Sequence, residues 1–174
     1  MWTTSFDLLS AALFYANNGW PVRPLCRNSK RPATQEFSVE KSQIERWFST
    51  DQYNLAIVTQ GNLLVLNVDN KKGTLGSDSF EKLKAQYGFD DETFVVQTPQ
   101  GFHYYFDTAG IDTRLMTSRY NLKPGIHLRC NGGFVVASPS IIDGVGYQVI
   151  NNVKPLLLPN VLAELILSKK EFFV

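Results

Sequence analysis

The chain has 174 residues, 44% hydrophobic and 19% charged, with a formal net charge of +1. That length and apolar content fit one globular domain with a substantial core and exclude a disordered or low-complexity chain. The near-neutral charge excludes a uniformly basic nucleic-acid coat, so phosphate binding would need a local cationic patch. The two cysteines, Cys26 and Cys130, lie far apart without CxxC spacing, which points to a reduced compartment. The opening MWTTSFDLLSAALFYANNGW lacks a basic leader and a small-residue cleavage site, and its apolar run is too short to span a bilayer. A soluble, cytoplasmic protein is expected.

In chain order, residues 6–18 read as a buried helix that stops before Gly19. Residues 20–25 form a short strand interrupted by Pro21 and Pro24, as suits a sheet edge. The basic loop CRNSKRPATQEF follows, and Ser38 is placed to cap a helix over VEKSQIERWF. Strands are expected at 54–58 and 63–68, joined by a turn at Gln60-Gly61, then an amphipathic helix over 77–87 closed by Gly88. Residues 93–97 and 103–106 flank TPQGF as a hairpin. Further strands at 126–128, 134–137 and 147–150 are separated by NGG and DGVG, and Pro159 opens a last helix, NVLAELILSKK. About four helices and seven or eight strands in mixed order make an α+β domain spanning residues 1–174.

The stretch LLVLNVDN, residues 63–70, carries the chemical question. Strand side chains alternate between faces, so Asn67 and Asp69 point the same way. Two carboxylates so placed would suit a divalent metal, but the first of the pair is an amide. Asp69 followed by Asn-Lys-Lys-Gly is also good turn chemistry, and Asn67 serves equally as a satisfied polar strand residue.

Several segments fall in one order: YANNGWPVRPL, Lys30 and Pro32 in Lys-x-Pro, IERWF, NLAIVTQG, LLVLNVDN, TPQGFHYYF, KPGIHLRCNGGFVVASPS, a tyrosine after DGVG, and a late LP before a helix. This series resembles the bifunctional DNA primase/polymerase N-terminal domain, the Prim-Pol family of the archaeo-eukaryotic primase superfamily. It covers roughly residues 6–165. The resemblance implies a two-layer fold with mixed sheets, flanked by helices, facing across a central cleft. There, three acids hold two divalent metals, Mg²⁺ or Mn²⁺, for nucleotidyl transfer. Two acids come from the strand matching 64–69 and the third from the strand matching 126–128. A histidine at the position of His103 and a basic residue at that of Arg129 contact the incoming nucleotide triphosphate, and Ser140 falls in a motif near the nucleotide. DNA is the implied polymer, and a helicase domain or other replication partner of plasmids or phages the implied company.

Two of the three acids are replaced: Asn67 stands at the first position and His127 at the third, leaving Asp69. An amide oxygen carries no charge, and a neutral imidazole is a poor Mg²⁺ ligand. Removing one preorganised electrostatic group costs about 10²–10³ in rate. The expectation is therefore a replication-associated, nucleotide- and nucleic-acid-binding domain deficient in polymerisation. One alternative is an active polymerase that tolerates the replacements with Mn²⁺ or Mg²⁺. Another is an enzyme of a different class that binds a transition metal through Asp69, His103 and His127.

Arg129, two residues beyond His127, shares its face of the strand. Lys30, Arg31, Lys71, Lys72, Arg114, Arg119 and Lys123 are candidates for nucleic-acid phosphates, or ordinary surface cations. Thr59, ending the strand beside LLVLNVDN, offers a hydroxyl to phosphate or ribose.

Overall fold

The computed structural model describes residues 7–50, 52–71 and 73–168. Helix α1 (Leu8–Asn17) starts at Asp7, whose carboxylate accepts the Ser10 N–H at 2.7 Å. It leads into β1 (Val22–Cys26), the basic loop and α2 (Lys41–Phe48). Glu40, not Ser38, is the residue that precedes α2. The Ser38 hydroxyl instead accepts the Glu40 N–H at 2.9 Å, holding the approach to the helix rather than capping it.

Then come β2 (Tyr53–Thr59), β3 (Leu63–Lys71), β4 (Thr74–Leu75), α3 (Gly76–Tyr87) and the hairpin β5 (Phe94–Thr98) and β6 (Gly101–Asp107). A 3-10 turn (Thr113–Leu115) precedes β7 (Arg119–Lys123), β8 (Ile126–Arg129) and β9 (Gly133–Val136). The chain closes through β10 (Ile141–Ile142), β11 (Val145–Gly146), β12 (Gln148–Asn151), β13 (Leu156–Leu157) and α4 (Asn160–Leu167), with Pro159 at its N-cap. The architecture is α+β, as expected from the mixed order of elements. Its short strands β4, β10, β11 and β13, and the irregular β7, were not expected.

Strands β1, β2 and β9 form a small antiparallel sheet. The large sheet runs β12-β5-β6-β3-β8-β7, with β4 and β13 added at its side. The alternation in β3 explains the layering. Leu63 and Val65 face a core shared with α1, α2 and the small sheet, where Ala12, Leu25, Ile44, Ile57 and Tyr105 are fully buried. Leu64, Leu66 and Val68 face the opposite core, under α3 and α4, with Phe80, Phe106, Ile126, Leu128 and Leu162. A strand buried on both faces reads as a near-continuous apolar run, and each such side chain contributes about 1.5–3 kcal/mol by leaving water. The apolar run is interrupted at Asn67, so Asn67 and Asp69 continue the face of Leu63 and Val65 beyond the end of that core. Among the described residues no helix is long and apolar enough to cross a membrane.

Candidate nucleotide cleft

Strand register sets the site. Asn67 lies directly opposite His103 of β6 on one side and His127 of β8 on the other. Val65 pairs with Tyr105 and with Arg129 in the same way. Paired residues share a face, so Asn67, Asp69, His103, His127 and Arg129 all lie on the side of the sheet toward β1, β2 and β9. The three candidate segments are thus brought together. The two imidazoles are separated by two strand spacings, roughly 9.6 Å at the backbone, with the amide between them.

Asp69 is held by its backbone. It pairs with Gly101, and its N–H donates to the Gly125 carbonyl at 2.7 Å. A Cβ on Gly101, which has φ 155°, would lie 2.0 Å from the Val68 carbonyl oxygen. One on Gly76 would lie 2.7 Å from the Asp69 oxygen, and one on Gly125 at the same distance from that atom. Three residues without side chains therefore enclose the exit of β3. Next to them Asn70 exchanges two bonds with Ser77, accepting its N–H at 3.0 Å and donating to its hydroxyl at 2.9 Å, which ties β3 to the start of α3. The Asp69 carboxylate is 16% exposed and pairs with Lys71 at 3.1 Å.

A cavity of about 290 Å³ opens over this point, with Lys30, Asn67, Asp69, His103, Asp143 and Tyr147 in its wall. Its outer side is made by the basic loop and the β10–β11 hairpin, which are clasped together. The Asp143 N–H donates to the Asn28 side-chain oxygen at 2.6 Å, and the Asn28 amide donates back to the Asp143 carboxylate at 3.4 Å. Both residues take left-handed backbone, φ 49° and 52°, which Asn and Asp tolerate better than most residues. His103 is 5% exposed, and its Nδ1 is buried without a hydrogen-bond partner. Burial first, then the Lys30 and Arg129 charges, push its pKa down to about 3, so the ring is neutral. Its ring lies 6.0 Å from that of Tyr147, whose hydroxyl is pushed up to about 12 by burial and by the Asp69 charge. A second cavity, of about 320 Å³, lies at the other end of β3 against Leu63, Trp20 and Asp107 and contains none of the candidate residues.

Several of the candidate side chains are engaged within the chain. The His127 Nδ1 accepts the Asn121 N–H at 2.9 Å, where the β7–β8 register shifts. A neutral imidazole that accepts at Nδ1 carries its proton on Nε2 and has no lone pair left for a metal. Burial first, then the Arg129 and Lys71 charges, lower its pKa against the opposing pull of Asp69. Ser140 is committed elsewhere: its buried hydroxyl accepts the Leu55 N–H at 2.8 Å and donates to the Leu55 carbonyl at 3.0 Å. Thr59 is fully buried beside Gly133 and lies outside the cavity wall.

The cations also divide. Lys30 lines the cavity and Lys71 pairs with Asp69, whereas Arg31 is exposed outside the cavity wall. Arg114 is engaged by Asp112 through two bonds of 2.8 and 2.6 Å. Lys123 pairs with Ile126, so its register places it on the face away from His127. Lys72 and the side chain of Arg119 lie outside the described residues. Residues that motif reading passed over are Asn28, Asp143 and Tyr147. Only Tyr147 had a signal, as the aromatic following DGVG.

The residues present do not fit a pair of divalent cations. The cavity wall offers Asp69, already paired, and Asp143, already clasped, while Asn67 is neutral and His127 is engaged by backbone. Among the described residues no three His, Cys, Asp or Glu side chains come together as a metal group, so Asp69, His103 and His127 do not form the transition-metal set.

The family model described as bifunctional DNA primase/polymerase, N-terminal, matches residues 12–161. No curated protein matches the chain.

Proposed function

Since the chain belongs to the bifunctional DNA primase/polymerase N-terminal (Prim-Pol) family, we propose that it is a single nucleotide- and nucleic-acid-binding replication domain deficient in polymerisation. The observation that carries this reading is the row His103–Asn67–His127 across three paired strands, with Asp69 neutralised by Lys71 beside it. Polymerisation by this family's chemistry needs carboxylates to hold two cations and to offset their repulsion. Here a neutral amide and a backbone-bonded imidazole stand in place of two of them. Binding is supported on the other flank, where Lys30 and a buried, unpartnered imidazole line a cavity of about 290 Å³ and the Arg129 charge reaches that imidazole from β8. Guanidinium and ammonium groups are the usual protein partners of phosphates. Helicase or other replication partners, and DNA as the polymer, are part of the same proposal.

Primer extension with Mg²⁺ and with Mn²⁺ tests it. No extension is expected with either ion, and robust synthesis abolished by Asp69→Ala would overturn the reading in favour of an active polymerase. The double change Asn67→Asp with His127→Asp should create Mn²⁺ binding measurable by calorimetry.

A further inference from the structure

The contact between Lys71 and Asp69 has a meaning beyond loss of a metal pair. The one cleft carboxylate on β3 already has a cation, supplied two residues along the same strand, at 3.1 Å. An ammonium has three N–H donors, and the Lys71 side chain is 53% exposed, so donors remain for a further partner. Lys30 lines the same cavity as that carboxylate. It is held below the ordinary lysine value by desolvation first and then by the Lys71 charge, with Asp69 and Asp143 pulling the other way. In the wall itself Lys30 stands with Asp69 and Asp143, and Lys71, just beyond it, occupies the Asp69 carboxylate and repels Lys30. His103, nine-tenths buried in that wall with an unpartnered nitrogen, indicates that the polar groups here await a ligand. A cleft of carboxylates repels phosphates until cations are added. In this one the β3 carboxylate already has its cation.

We propose that the cleft takes a polyphosphate in its metal-free form, with the Lys71 ammonium supplying the positive charge that Asp69 would otherwise share with a divalent cation. The inference rests on the nucleotide-binding reading and adds the form of the ligand to it. Mg²⁺ complexed to a nucleoside triphosphate cancels half of the ligand's charge and brings a dication to a carboxylate that Lys71 already holds. The metal-free anion is therefore the better partner.

Calorimetric titration of the native chain with dATP, in EDTA and in excess Mg²⁺, reads this directly. The expected result is binding in EDTA at least as tight as in Mg²⁺. Lys71→Ala should weaken binding in EDTA by about tenfold, as loss of a charge-assisted bond does. Because it frees Asp69, it should also make the remaining affinity rise with Mg²⁺. Lys71 is exposed, so this variant is expected to fold, and Lys30→Ala gives a second reading of the same loss in EDTA. Tighter binding in Mg²⁺ than in EDTA by the native chain would overturn the inference and leave the nucleotide cleft standing. Absence of binding in both buffers would overturn the cleft and the inference together.

Discussion

The two neighbours of β3 use the same row of the sheet in different ways. On the β6 side of Asn67, His103 is sealed against the upper core, faces a cavity and leaves a buried nitrogen without a partner. On the β8 side, His127 is half-exposed, lies outside that cavity and gives its Nδ1 to the backbone of β7. An unsatisfied buried polar atom costs about 1–3 kcal/mol, a cost that persists where a ligand offsets it. The comparison teaches that one flank leaves a buried polar atom facing a cavity. The other has put its side chain to structural use, satisfying a strand irregularity.

The sharpest way to break this picture is at the shared edge. Gly101→Ala places a Cβ against the Val68 carbonyl oxygen and should destabilise the fold by about 3 kcal/mol or more, read as a lowered urea midpoint with nucleotide binding lost. A midpoint unchanged from the native chain would mean that β3 and β6 are not paired as described.

A smaller effect separates the histidines by pH. The unfolded chain binds a proton at His103 near the ordinary imidazole value of 6.5, whereas the folded state resists it to about 3. More protons are bound in the unfolded state throughout that window. Stability is therefore complete above pH 6.5 and falls as the pH drops toward 3, by at most about 1.4 kcal/mol per unit from this group. Urea titrations at pH 4.5 and 7 should show the decline, and His103→Gln should flatten it. An equal slope in that variant would assign the acid sensitivity to other groups.

The smallest effect is at His127. His127→Ala removes one acceptor from the Asn121 N–H and should cost about 1 kcal/mol in thermal or urea unfolding, with dATP affinity unchanged within about twofold. A large loss of affinity with intact stability would return His127 to the binding wall.

How much of this was legible in the sequence depends on the range of the physics. The alternation in LLVLNVDN placed Asn67 and Asp69 on one face, because side-chain direction in a strand is local. The hairpin around TPQGF and the stop of α3 at Gly88 were legible for the same reason. The fate of His127 was not. It depends on a register shift between Arg119 and Lys123 that brings Asn121 under the ring, and no periodicity in a five-residue strand announces a bulge. Ser140 was misleading because its motif is intact while its hydroxyl is spent on Leu55, 85 residues earlier. Lys71 was legible as a cation beside Asp69, but only coordinates show it folded back onto that carboxylate.

The glycine enclosure around the end of β3 has a consequence for how such a protein changes over generations. Gly76, Gly101 and Gly125 meet main-chain atoms at Val68 and Asp69, so their fit is blind to whichever side chains stand at positions 67, 69 and 127. Carboxylates crowded there would repel one another, and exchanging them for neutral groups removes that repulsion without moving the main chain. Exchanges at positions 67 and 69 thus leave the main-chain fit of these three glycines untouched.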